Sequence, residues 1–310
     1  TPKVMKESKN KIKVEFDRTP LKERMKAKFL NLYFFQQVAW YIFRLVLLIG
    51  ISYIVLYPFF TKIAGSFMSP EDFVDVTVRL IPKHFTLDIY KAVLTELKYA
   101  EAFRNTFIIS MLCGVLQTFV CCLIAYGLAK FRFRGNKLIF TAILVFMMIP
   151  GQLSLIGFYN LCTKLKLVNS YIPLIVPAVA APGTVFFLRQ YILSVMPPAL
   201  VEAARIDGAS ELYSFHRIAL PIMSPGIATM AIMAFIGNWN NYLLPMIILN
   251  KNEKFTLPVM MATLKASTDI QRNQGAIYLA VAISVIPILI VFCFCSKYII
   301  SSISAGSVKE

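Results

Sequence analysis

Acidic side chains and histidines are scarce in this chain: 16 Asp and Glu stand against 32 Lys and Arg, with two histidines in 310 residues. The apolar stretches hold almost no acids, and His84 and His216 fall on opposite sides of the membrane in the topology read below. A membrane enzyme needs clustered acids, histidines or an activated nucleophile, so that class is disfavoured. No Gly-rich loop runs into Lys-Ser or Lys-Thr, which excludes a phosphate-binding loop and hence an ATPase on this chain. A secreted disulfide framework is also missing. Of six cysteines, Cys113, Cys121, Cys122, Cys293 and Cys295 lie within apolar runs and Cys162 near the end of one, where thiols act as small packing residues. Cys293-Phe-Cys295 lacks the spacing and second pair of a zinc site. There is no internal repeat and no low-complexity segment.

What the chain has is apolar length. It is 58% hydrophobic and 15% charged, with a mean hydropathy of +0.67, far from a soluble domain. Six runs approach or reach the ~20 residues that cross a bilayer core. They cover about 40–60, 106–129, 138–160, 171–188, 227–249 and 276–296. The fold class expected is all-α, a polytopic membrane protein with six transmembrane helices. The first 39 residues are too charged and too long for a cleavable signal and read as retained.

Charge placement gives the orientation. With a cytosolic N-terminus the inside segments carry nineteen Lys and Arg, ten of them before Trp40, and the outside segments carry fewer. The acids divide eight and eight. The positive-inside rule therefore puts both termini in the cytosol, although Lys164/Lys166 and Lys251/Lys254/Lys265/Arg272 run against the trend. Basic segments beside a membrane read as contacts with anionic lipid rather than with nucleic acid. Residues 1–19 are a polar, Lys-rich tail. From Pro20 to Gln37, Leu21, Met25, Phe29, Leu32 and Phe35 recur at helical spacing opposite Lys22, Lys26 and Lys28. Two readings stay open for it: a helix lying in the membrane interface, or one packed on the protein's own flank. The organisation expected is a tail and interfacial helix over 1–39, a six-helix transmembrane domain over 40–296, and a cytosolic tail over 297–310. Outside loops fall at 61–103 and 250–275.

Spans three and four carry Pro150, Pro173, Pro177 and Pro182. Each is read as removing a helical hydrogen bond, and in lipid the freed carbonyls need protein or water partners. That pattern favours a moving or cavity-lining bundle over a rigid anchor.

The most informative stretch is EAARIDGASELYSFHRIALP, residues 202–221. Pro197-Pro198 suits a helix start, and Leu200, Val201 and Ala204 share one side of the short helix that follows. Gly208 supplies the left-handed residue that ends it, and Ser210 caps a second helix with Leu212, Phe215 and Ile218 on one face. Pro221 is expected to turn the chain into the next span. The product is a helix–turn–helix knuckle, with small residues at Ala203 and Ala204 where another protein could approach closely. Glu202, Ala203, Ala204, Gly208, Ile218, Leu220 and Pro221 fit Glu-Ala-Ala, three residues, Gly, nine residues, Ile-x-Leu-Pro. Seven fixed positions match by chance roughly once in 10⁸ starting points at average residue usage.

This pattern resembles the coupling loop of permease subunits in bacterial ABC importers. RNTFIIS at span two, MMIPGQLSLIGFYNL in span three and FIGNWNNYLLPMI in span five resemble the six-span permease half of maltose/oligosaccharide-type carriers. PKHFTLDIYKAVL resembles the branch handling oligosaccharides released from polysaccharides. The resemblance implies the type I importer permease fold in a bacterial cytoplasmic membrane. It implies a second permease, a cytosolic ATPase dimer that binds ATP and Mg, and an extracellular sugar-binding protein. This subunit would bind no cofactor itself. Glu202 to Pro221 would dock on the ATPase, and the loop 251–274 matches the position where the family probes the binding protein's sugar cleft.

For the substrate path, Asn238, Trp239, Asn240, Asn241 and Tyr242 set amides beside aromatics within an apolar segment. That chemistry suits sugar rings or, equally, hydrogen bonding between helices. Tyr159 and Asn160 at the end of span three join them. Lys164, Lys166, Lys251 and Lys254 at the mouth could steer acidic oligosaccharides or be ordinary solvated residues. Alternatives to sugar import are a permease for another solute, or a passive channel or scaffold, which would need no knuckle.

Overall fold

The structure is a computed structural model that describes residues 32–95, 98–266 and 270–307. The expected tail and most of the amphipathic helix over Pro20–Gln37 lie outside the described residues. Two units are distinguished, divided between Thr61 and Lys62. Where described, the first is the part of one helix up to Thr61; this helix is α1, Leu32–Gly65, which runs unbroken past Trp40. Its apolar side chains are exposed in the way a lipid-facing span requires: Trp40, Val46, Tyr53 and Ile54 are all more than 60% exposed.

The second unit is a helical bundle built around α3, Tyr99–Lys130. A short α2, Asp88–Thr95, precedes it. Next come α4 (Asn136–Met148) and α5 (Leu155–Lys164), then α6 (Ile172–Val179) and α7 (Pro182–Val195). The knuckle helices are α8 (Pro198–Ile206) and α9 (Glu211–Tyr213). The remainder is α10 (Leu220–Trp239), α11 (Leu243–Ile248), α12 (Leu257–Lys265) and α13 (Ile270–Ser307). Among the described residues five helices are long and apolar enough to cross a membrane, and six if the bent pair is one span.

That pair is where the run read as span three breaks. Asn136–Met148 and Gly151–Lys164 meet at 86°, with Pro150 extended at the break. The prolines of span four are milder than expected. Pro173 and Pro182 sit in the first turns of α6 and α7, where the missing N–H costs nothing. Pro177 alone lies inside its helix. The carbonyls at the α6–α7 break are met by α3: the Cys121 thiol donates to Val179 and Ala181 at 3.4 and 3.6 Å, and Cys113 to Leu174 at 3.7 Å. These weak donors occupy backbone oxygens that lipid could not satisfy. Gln117 Nε2 adds a buried 2.9 Å bond to Thr184 Oγ1.

Three buried clusters follow α3 along its length. One gathers Cys121, Cys122, Tyr126, Leu188, Ile192, Val201, Phe215 and Met223. A second gathers Ile109, Cys113, Cys162, Leu174, Ile248 and Leu249. The third, at the opposite end, joins Tyr99, Ala102, Phe235, Trp239, Leu257 and Leu279. At Gly226 on α10, an added Cβ would stand 2.6 Å from the Tyr191 ring of α7. The absence of a side chain there sets how closely these helices approach. Span six is longer than expected, because α13 remains helical to Ser307 and leaves no separate tail from 297 among the described residues.

Candidate functional site

The knuckle is assembled by local rules. Pro198 opens α8 in its first turn, and Gly208 closes it at φ +79°. The Gly208 N–H donates to Arg205 O at 3.1 Å and the Ala209 N–H to Ala204 O at 2.9 Å, the paired bonds of a Schellman stop. Ser210 Oγ then accepts from the Tyr213 N–H at 3.3 Å and caps the second helix. Arg205 Nε donates to Glu211 Oε1 at 2.6 Å across the turn. The hydrogen bond to Glu211 and the Glu211 charge raise the Arg205 pKa beyond its already high value, so the guanidinium stays charged.

The faces differ from those read in the sequence. Val201 and Ala204 are buried, whereas Leu200 is 40% exposed. Ala204 therefore faces the chain's own core, and of the two alanines Ala203 alone is exposed. Leu212, Phe215 and Ile218 do not share a face. A π-helical turn at Ser214–Ala219 shifts the register, burying Phe215 at 7% and leaving Leu212 at 78% exposed. Pro221 makes no turn either: it sits in the first turn of α10, and the helical path runs from Glu211 to Trp239. Glu202, Gly208 and Pro221 are exposed, with Ile218 and Leu220 half-buried.

The knuckle is tied to α3 by residues that sequence reasoning missed. Lys130 Nζ donates to Met196 O at 2.6 Å, just ahead of Pro197. Tyr126 packs on Phe215 with ring centroids 5.1 Å apart, and the Arg205 guanidinium lies 5.5 Å from the Phe131 ring. The surface left open carries Ile206 at 87%, Leu212 at 78% and Tyr213 at 56% exposed. Large apolar side chains beside Glu202 on a wet loop mark an interaction surface.

At the other end of the bundle, the segment after α11 is sewn onto the start of α3. Asn105 Nδ2 donates to the carbonyls of Glu253 and Phe255 at 2.8 and 3.2 Å, and Thr106 Oγ1 accepts from the Leu257 N–H at 2.8 Å. Asn169 holds the same segment, accepting from the N–H groups of Asn250 and Lys251. A cavity of about 790 Å³ opens here, lined by Lys98, Asn250, Lys251, Asn252, Phe255 and Thr263 among others. Lys254 donates to Asn169 O at 2.7 Å, so this lysine is a structural tie rather than a solvated one. Residues 267–269 of the expected 250–275 loop lie outside the described residues.

The Asn238–Tyr242 group ends span five instead of lying within it, because α10 stops at Trp239 and α11 begins at Leu243. Trp239 is 2% exposed and stacks on Phe235 at 5.5 Å, with Phe103 edge-on at 5.5 Å. This corrects its assignment to the substrate path: burying a large aromatic in the core outweighs leaving it in a wet cavity wall. Asn238 and Asn240 bond back to Ala234 O and Ile236 O of their own helix at 2.8 and 3.0 Å. Asn241 is half-buried and Tyr242 exposed. Tyr159 and Asn160 are exposed on α5, against which α11 packs.

The loop after α1 is held by Asp72, whose side chain is 1% exposed. Burial opposes its ionisation, but bonds from the His84 N–H (3.0 Å) and ring (2.9 Å) outweigh it, and the carboxyl titrates below its ordinary value.

Apolar helices long enough to cross a bilayer several times, joined by an ordered knuckle with an open apolar face, define a multi-pass membrane protein with an interaction surface. Over residues 101–304 the chain matches the family described as binding-protein-dependent transport system inner membrane component, and it belongs to that family. It is 36% identical over 262 residues to the arabinooligosaccharides transport system permease protein AraQ of Halalkalibacterium halodurans, covering 84% of this chain and 93% of that one. It is 31% identical to the diacetylchitobiose uptake system permease protein NgcG of Streptomyces coelicolor, covering 85% and 87%. The fold is shared with a crystal structure of a bacterial ABC transporter involved in the import of the acidic polysaccharide alginate. That likeness has a TM-score of 0.74 and 22% identity, covering 85% of this chain and 98% of the other.

Proposed function

We propose that this chain is the membrane-spanning permease subunit of an ATP-driven oligosaccharide importer, driven through the 202–221 knuckle. One observation carries the coupling role: Ile206, Leu212 and Tyr213 stand exposed on a knuckle whose other face is locked to α3 by Lys130 and Tyr126. Such a surface can receive a partner and pass its movement into the bundle. The partner is a cytosolic ATPase dimer, which holds ATP and Mg; a second permease completes the pathway. A sugar-binding protein delivers the substrate at the opposite end, where the 250–257 segment frames the cavity. A structural relative is described in complex with an alginate pentasaccharide-bound periplasmic protein, which supports that partner. Both termini face the cytosol, supported by the excess of Lys and Arg in the segments on that side.

Oligosaccharide is the cargo supported by the relatives, whose names specify arabinooligosaccharides, diacetylchitobiose and galactooligosaccharides. Asn241, Tyr242, Tyr159 and Asn160 offer exposed or half-exposed polar and aromatic groups for a sugar path; Asn238 and Asn240 would have to release their helix carbonyls first. The test is site-specific crosslinking in native membranes. Cysteine at Ala203 should capture the ATPase, and cysteine at Ala204, which faces inward, should not. Capture of no ATPase from Ala203 or Ile206, in membranes that still import sugar, would refute the docking role.

A further inference from the structure

We propose that Arg189 is a binding site for the phosphate of an anionic phospholipid. The apolar run read from the sequence ends at residue 188, but Arg189 lies within the Ile172–Val195 span. It stands six residues before the end of α7, about 9 Å along the axis at 1.5 Å per residue. Helix α4 packs against α7 and starts from the same end, placing Phe140 four residues in, about 6 Å. The two side chains meet: the guanidinium carbon is 3.9 Å from the Phe140 ring centroid. Phe140 in turn stacks on Phe186 at 6.1 Å with the rings 15° apart.

The stack fixes the guanidinium but leaves its donors short of partners. Nε is buried without a hydrogen-bond partner among the described residues. Nη1 makes one bond, 3.3 Å to the neutral amide of Gln190. The ion pairs among the described residues engage Lys83, His84, Lys98 and Arg205, and none engages Arg189. Arginine keeps its charge in a protein, and an intramembrane charge with no counter-ion among the described residues calls for one from elsewhere.

The surroundings favour a lipid as the source. Leu193, one turn beyond Arg189, is 48% exposed, and Leu138 on α4 is 75% exposed. Both are apolar surface fit for acyl chains. Lys137, on the Phe140 face one turn nearer the helix start, is exposed, as are Arg132 and Arg134 in the connection before α4. These four cations and flanking leucines match one molecule with an anionic head and apolar tails. A free phosphate would use only the cations, and an acid on a partner subunit would leave the leucines unused.

The experiment is native mass spectrometry of the full complex, purified in dodecyl maltoside and titrated with phosphatidylglycerol or phosphatidylethanolamine. Wild type should retain phosphatidylglycerol preferentially, and Arg189→Gln should lose about fivefold of that preference, the effect of one basic residue near an anionic headgroup. Phe140→Leu keeps the charge and removes the stack; it should lower the preference less, and it serves if Arg189→Gln does not fold. Equal retention by wild type and both variants would overturn the proposal. So would displacement of the lipid by millimolar inorganic phosphate, which would indicate a soluble anion site. Loss of the second permease instead of the lipid would likewise overturn it, and assign Arg189 to a subunit contact.

Discussion

Gly208 is the residue on which the knuckle's shape depends most directly. Its φ of +79° lies in the left-handed region, and no atom beyond its chain neighbours stands within 4 Å of where a Cβ would be. A side chain there meets only backbone cost. Gly208→Ala should destabilise the turn by about 1 kcal/mol, Gly208→Asn should be milder, and Gly208→Pro, fixed near −65°, should break it. The check is ATP-driven sugar uptake in vesicles holding equal amounts of inserted protein; unchanged uptake by the Pro variant would sink the coupling role. Gly226→Ala differs in kind, because its Cβ would meet the Tyr191 ring. It should lower the melting temperature of the purified chain rather than act on coupling selectively. Asp72 sets a pH limit. Its folded pKa lies below the unfolded value, so its contribution is complete above about pH 4 and is lost as pH falls through the folded pKa. Amide exchange in residues 66–87, corrected for intrinsic rate, should be constant down to about pH 5 and rise below pH 4, with Asp72→Asn removing that acid step. The glycine stop and the serine cap could be read from the chain because each acts on its immediate neighbours. Trp239 could not, because its burial is decided by Phe103 and Leu257, distant in sequence.

Among elements, the runs that became straight helices were legible from apolar length, and those that break were not. The apolar run 138–160 is interrupted only at Pro150-Gly151-Gln152, yet Asn136–Met148 and Gly151–Lys164 meet at 86°; Pro150 marks the place but carries no angle. The π-helical turn at Ser214–Ala219 was equally hidden, because one extra residue per turn leaves composition unchanged while rotating every later side chain. Lys130 is the tie whose loss should be most telling. Lys130→Met keeps length and apolar bulk and removes the 2.6 Å bond to Met196 O, a contribution of about 1.5–3 kcal/mol for a charged donor. ATP hydrolysis by the assembled complex should persist while sugar moved per ATP falls several-fold. An unchanged transport ratio would show that the link to α3 passes no movement.

For the whole molecule, family membership and a relative's fold over 85% of the chain agree with what composition and the seven-point pattern implied, while the cargo rests on the relatives' names. A further expectation belongs at this scale. Lys251→Glu at the cavity rim should change the dependence of uptake on sugar concentration without altering ATPase assembly, and identical half-saturation would exclude the rim from cargo transfer. The helical path from Glu211 to Trp239 has a consequence in mechanical terms. Its 29 residues form a strut of roughly 43 Å at 1.5 Å per residue, with no loop to absorb strain. Tilting such a strut by ten degrees about one end carries the other through roughly 7 Å, a distance fixed by that length. A small swing at the knuckle end is thus a lever stroke at the far end, where Trp239 is clamped among the residues beside the cavity.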